Sequence, residues 1–272
     1  MDAMRTGRTI AVDWSGAKQG ERRKIWLAEV QAGRCVRLES RRTRAELTAE
    51  LIAVGEQRRD VIVGLDFAFS FPEWLLEEWK VCSVQELWRL AALEGERWLA
   101  TCAWPFWGRP RVPRSEVPQF RKTESDLRPI AGIRAKSTLQ IGGAGAVGTG
   151  SIRGMPTLAR LRDAGFSIWP FDPPNLPLVV EIYPRLLTGP VAKSNPADRS
   201  RYLQREFPTQ DETLLRLAAT SEDAFDAFVS AVVMDRHRDQ FRALPYGQDP
   251  IVRAEGMIWA PVEVKSAYPE RA

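Results

Sequence analysis

The chain has 272 residues, 44% of them hydrophobic and 27% charged, with a formal net charge of +4, one histidine and three cysteines. That length allows a sizeable core, as one large domain or a domain carrying an insertion. The lone His237 excludes any site built on two imidazoles, and Cys35, Cys82 and Cys102 are too few and too scattered for a disulfide framework or a thiolate zinc site.

This cysteine usage predicts a reducing, cytoplasmic setting. The opening MDAMRTGRT is charged with no apolar run behind it, which predicts no signal peptide. The longest uncharged run, 137–152, is glycine-rich and too short to span a bilayer, so no membrane association is expected.

In chain order, TIAVDW (9–14) reads as a short apolar strand ending in a charge. KIWLAEV (24–30) and RCVRLESR (34–41) read as strands joined by a hairpin turn at Gln31-Ala32-Gly33. Thr43 and Glu46 form a capping box for a helix to about Gln57, and VIVGLDFAFSFP (61–72) begins as a buried central strand. Two more capping boxes, Ser70 with Glu73 and Ser83 with Glu86, predict helices over 72–80 and 84–100. Residues 103–135 hold five prolines and no clean periodicity, the signature of long inserted loops. The glycine-rich GGAGAVGTG (142–150) precedes a helix over 151–165, then strands FSIWPF (166–171) and LVVEIY (178–183). Thr209 with Glu212 predicts another helix start, and Ser221 opens a last strong helix over 222–241. The mixture predicts an α/β chain.

Two strands of buried type end in carboxylates, Asp13 and Asp66, at the edge where open α/β sheets bind ligands. Like charges brought together in a partly buried place repel, and a divalent cation resolves the repulsion. In the last helix Asp223 and Asp226 share a face; Asp223 also suits the positive end of the helix dipole, whereas Asp226 lies past the first turn among apolar residues. An unpaired charge there is costly, so Asp226 is expected to face solvent or to meet a cation or partner. Glu181, set among aliphatics in VVEIY, needs a partner for the same reason. Residues 61–104 carry 3 Lys/Arg against 7 Asp/Glu, while residues 105–165 carry 11 against 4. A basic segment holding Phe106, Trp107 and Phe120, with Trp104 at its border, suits a polyanion; pairing with the acidic segment before it is the other reading.

The blocks AVDWSG (11–16), VGLDFAFSFP (63–72), VVEIYPRLL (179–187) and EDAFDAFVSA (222–231) resemble those of the domain-of-unknown-function 429 family. FRKTE (120–124), GTGSIRGMPTL (148–158) and EGMIWAP (255–261) are also similar to family features, so the resemblance covers nearly the whole chain. The run Asp223-Ala224-Phe225-Asp226-Ala227 is similar to the last catalytic helix of Holliday-junction resolvases. The resemblance implies a single ribonuclease-H-like domain: a mixed five-stranded sheet flanked by helices, with 73–165 inserted between strands four and five. It implies a nuclease, with Asp13 on strand one, Asp66 on strand four and Asp226, joined by Asp223, from the C-terminal helix. No acid matches the helix glutamate of ribonucleases H, although Glu46 and Glu50 lie in the first helix; Glu181 would complete the ligand set.

Such a set would hold one or two Mg²⁺ or Mn²⁺ ions for phosphodiester hydrolysis of DNA or RNA. Arg121, Lys122, Arg134 and Lys136 would hold flanking phosphates, and Trp104 and Trp107 would stack bases. Two alternatives stand beside this reading. One is a non-catalytic nucleic-acid-binding or interaction module on the same fold. The other is a nucleotide-binding phosphotransferase of the actin/hexokinase-like group, suggested by Gly143-x-Gly145-x-x-Gly148 ahead of a helix.

Overall fold

The computed structural model describes residues 7–125, 135–143, 145–247, 249–262 and 264. Seven strands form one mixed sheet flanked by helices: β1 (Arg8–Asp13), β2 (Trp26–Gln31), β3 (Arg34–Glu39), β4 (Val61–Leu65), β5 (Ser167–Ile168), β6 (Leu178–Ile182) and β7 (Ile258–Trp259). The order is β3-β2-β1-β4-β6, with β2 antiparallel to both neighbours and β4 and β6 parallel to β1. The sheet thus has two more strands than the five the resemblance implies. Both extras are two residues long and pair with β6, β5 at Leu178–Val179 and β7 at Glu181–Ile182. Every residue of β6 is buried, and a buried strand with a bare edge would leave its backbone polar groups unpaired.

Local chemistry sets most boundaries. The hairpin turn bends at Ala32 and Gly33, both with positive φ, and Thr43 with Glu46 makes the full capping box of helix Arg44–Gln57. Ser83 caps Val84–Thr101 and Ser221 caps Glu222–Arg236. Elsewhere the cap moves. Ser70 gives its hydroxyl to the Ala254 carbonyl, so the helix Glu73–Glu78 starts after Pro72 with no side-chain cap. Asp211, rather than Thr209, caps Glu212–Ala218. The last long helix stops at Arg236 and tightens into a 3₁₀ turn, Arg238–Ala243. The helix expected at 151 starts at Val147, inside the glycine-rich stretch, and Asn195 caps an unforeseen helix, Pro196–Glu206. Among the described residues no helix is long and apolar enough to cross a membrane.

Side chains alternate across a sheet, so the register decides which residues meet which helix. Ala28, Ala11, Gly64 and Val180 lie across four neighbouring strands on one face. This row of small residues forms a trough in which the helix Glu222–Arg236 lies, its Phe225, Ala227, Phe228 and Ala231 sharing a core with Ala11, Ala28 and Val180. The opposite face, with Val12, Val63, Leu65 and Val179, carries helices Arg44–Gln57, Val84–Thr101 and Val147–Asp163. Gly64 leaves room for this helix: a Cβ there would stand 2.5 Å from the Met234 sulfur. Gly64→Ala should therefore cost about 1–3 kcal/mol by overpacking. Denaturant unfolding checks this; an unchanged midpoint would mean the helix does not seat at that spot.

Candidate functional site

The register that seats the last helix also gathers the acids. Val12 pairs with Leu65 and Leu65 with Glu181, so Asp13 and Asp66, one residue further on, share the face covered by the last helix. The Asp66 amide donates to the Val12 carbonyl at 3.1 Å, which ties the two strand ends together. Asp226 comes down onto this face from the helix, 6% exposed, while Asp13, Asp66 and Asp223 keep partial access to solvent.

The acids perturb one another. Burial, then the charges of Asp66, Asp226 and Asp223, push Asp13 well above the usual carboxylate range, with Lys193 opposing. Burial and then Asp226 push Asp66 up to about 8. Asp226 is raised by burial against the pull of Lys193 and Arg185, and Asp223 by burial and its neighbour Glu222. Burial and then the charge of Asp66 push the Tyr183 phenol upward too. The partner expected for Asp226 is a cation of the chain itself: Lys193 Nζ contacts Oδ2. Asp226 Oδ1 is buried with no hydrogen-bond partner. Among the described residues, no group of three or more His, Cys, Asp or Glu side chains stands placed to hold a metal ion. The carboxylates converge without forming a closed cage.

Two predicted roles need correction. Glu181, in register with Leu65, points to the opposite face from Asp13 and Asp66, and its expected partner is Arg121. The Arg121 guanidinium, 0% exposed, reaches both Glu181 oxygens, Glu124 Oε1 at 2.8 Å and the Glu255 carbonyl at 2.8 Å. Burial alone disfavours this charge, but Glu124 and Glu181 outweigh it and keep the guanidinium protonated. Glu181 also accepts from the Phe69 amide at 2.9 Å. Two residues assigned to metal and to substrate phosphate thus neutralise each other inside the protein. Arg121 cannot meet a solvent phosphate without breaking that pair. Glu46 and Glu50, the acids of the first long helix, are engaged elsewhere, Glu46 with Thr43 and Arg22 and Glu50 with Arg37 and Arg42.

The other basic residues divide. Lys122 is exposed and pairs with Glu73 at 2.6 Å, Arg153 pairs with Glu96 and Arg162 with Asp172. Lys136 is exposed, packed along Gly145, and Arg109, Arg111 and Arg114 are exposed. Arg134 lies outside the described residues. Trp104 is 53% exposed beside Trp74, while Trp107 is half-buried and hydrogen-bonded to Gln119.

The glycine-rich stretch serves packing. The residues before it, 138–141, belong to no strand of the sheet, making only an isolated bridge between Gln140 and Trp107, so the strand–loop–helix setting of a dinucleotide fingerprint is missing. A Cβ on Gly142 would collide with the Gly108 carbonyl. The helix that follows lies against both acid-bearing loops: Thr149 and Gly150 abut Gly16, and Ser151 Oγ accepts from the Ala68 amide at 3.1 Å.

Sequence reasoning missed Lys193 and Tyr183. Lys193 sits in an aperiodic turn, and the only hint was the demand of Asp226 for a cation. No family model, no curated protein and no solved structure matches the chain.

Proposed function

We propose that this chain is a divalent-metal-dependent phosphodiesterase acting on nucleic acid, built on a ribonuclease-H-like fold as its resemblance to the domain-of-unknown-function 429 family implies. The observation that carries this reading is the convergence of Asp13, Asp66 and Asp226, from two parallel strand ends and one helix, on a single face of the sheet. Three mutually repelling carboxylates are unfavourable without a cation, and the orphaned Asp226 Oδ1 is a ready oxygen donor. The all-oxygen set suits Mg²⁺ or Mn²⁺, with Asp223 nearer solvent. An ion held there would lower the pKa of water for attack on a phosphodiester and offset the charge that develops. The protein's own part is to fix the carboxylates and to draw the polyanion in through Arg109, Arg111, Arg114, Lys122 and Lys136.

Mn²⁺ should raise the melting temperature of the wild type and leave Asp13→Asn unmoved; an equal response from both would place the ion elsewhere. With Mn²⁺ present, single-stranded, duplex and branched DNA and RNA should reveal a cleaved substrate, and Asp226→Asn should slow that cleavage more than about a hundredfold. Binding without cleavage would instead select the non-catalytic module. Stabilisation by ATP would select the phosphotransferase.

A further inference from the structure

Between the helical turn Pro184–Thr188 and the helix Pro196–Glu206 the chain makes a compact turn whose backbone is fixed by two buried arginines. Arg185 Nη1 donates to the carbonyls of Gly189 at 2.9 Å and Val191 at 2.8 Å. Arg199 Nη1 donates to the carbonyl of Lys193 itself. Its Nε and Nη2 donate to the Ala219 carbonyl at 3.0 and 2.8 Å, just ahead of the helix that bears Asp226. Burying a guanidinium is costly unless its donors are satisfied, and these two direct theirs to carbonyls of this turn and of Ala219, which fixes the backbone around Lys193. What the turn delivers is the Lys193 ammonium, its side chain 16% exposed, against Asp226 Oδ2.

Resting on the metal-dependent reading above, we propose that Lys193 is the resident cation of the carboxylate centre: its ammonium takes the cationic place beside Asp226 in the metal-free protein and leaves it when a divalent ion binds. One positive charge facing three acids balances them only in part, and it uses one oxygen of Asp226 while Oδ1 stays unpartnered. A divalent ion brings twice the charge and accepts six or more oxygens, so it outcompetes the ammonium. The flexible four-carbon stem of a lysine lets the head leave while the arginines keep the backbone in place. Lys193 is thus a positioning residue that keeps the acids together before loading and sets how tightly the ion is held.

The test is Mn²⁺ binding to wild type and Lys193→Met, followed by the electron paramagnetic resonance of the free ion. Removing the competing charge should tighten binding on the order of tenfold, and the metal-free variant should melt below the wild type. Equal or weaker binding by the variant, with the wild type binding, would overturn the role of Lys193 and leave the metal reading standing. Absence of binding by both would sink the metal reading and this role with it. Should the variant not fold, the wild type still decides through ¹⁵N NMR of lysine ammonium groups. A solvent-protected signal in the metal-free protein should be lost as Mg²⁺ is added, and its persistence at saturating Mg²⁺ would overturn the proposal.

Discussion

Arg121→Met should lower the free energy of unfolding by about 3–5 kcal/mol, the range for removing one partner of a buried ion pair. Glu181 and Glu124 would be left facing an apolar side chain, Glu181 with only the Phe69 amide to stabilise its charge. Burial already raises the Glu181 carboxyl with the guanidinium in place, so its loss would drive that group toward protonation. Replacing both partners, as Arg121→Met with Glu181→Leu, should cost clearly less than the two single changes added together, because of the two buried carboxylates only Glu124, which still accepts from the amide of residue 121, then lacks the guanidinium. Chemical denaturation of the four proteins of this cycle measures it; a single-variant cost under about 1 kcal/mol would mean the pair is solvated in solution. The damage should also spread. Arg121 holds the Glu255 carbonyl, and the Glu255 carboxylate accepts from the amides of Glu73 and Thr123 at 2.8 and 3.1 Å. Through these bonds the inserted segment, the loop after Asp66 and the segment leading to β7 are joined to β6. Arg121→Met should thus weaken the Mn²⁺ response without touching a carboxylate of the centre.

The same pair marks how far the sequence could be read. A carboxylate within VVEIY signals that it must have a partner, and Asp226 among alanines and phenylalanines signals the same, because burying a charge alone is expensive wherever it occurs. Neither signal says who the partner is. Arg121 and Lys193 come from loops 60 and 33 residues away from the acids they meet, and loops carry no periodicity to orient a side chain. The first four strands, three of the capped helices and the acids at the ends of β1 and β4 were legible, because alternation, capping boxes and strand-terminal charges are local patterns. LVVEIY located β6 and FSIWPF located β5, although only Ser167–Ile168 of it pairs; β7 was not legible, since two residues are too few to alternate. The faces were not legible either until the register was known. A shift of one residue separates Glu181 from the acids it was grouped with, and strand patterns that are apolar on both faces leave that shift open.

Asp66→Asn should act in opposite directions on activity and on stability. It removes a donor of the proposed metal centre, so metal-dependent cleavage should fall by more than about a hundredfold. It also removes one of the repelling charges, so the metal-free protein should gain about 1–2 kcal/mol at pH 8. The pH dependence follows from the direction of the shift. In the folded chain Asp66 titrates at about 8 instead of 3.8, so between those values the folded state binds the proton and the unfolded state does not. Stability from this group is fully present below about pH 4 and is lost as pH rises through about 8. Carboxylates held low by pairing, such as Glu46 at about 2, act with the opposite sign at more acidic pH, so the wild-type profile alone would mix the two. The difference between wild type and Asp66→Asn isolates the group: the melting temperatures should coincide near pH 4 and diverge toward pH 8, with the variant higher. Saturating Mg²⁺ should close the gap from the wild-type side, because an ion among the acids favours their ionised forms. A gap that is flat with pH, or that Mg²⁺ leaves unchanged, would mean that Asp66 is not under repulsion from its neighbours. Repulsion that lowers stability in the empty centre is the same interaction that favours a cation, so stability gained by removing the acid is expected to be paired with loss of the ion.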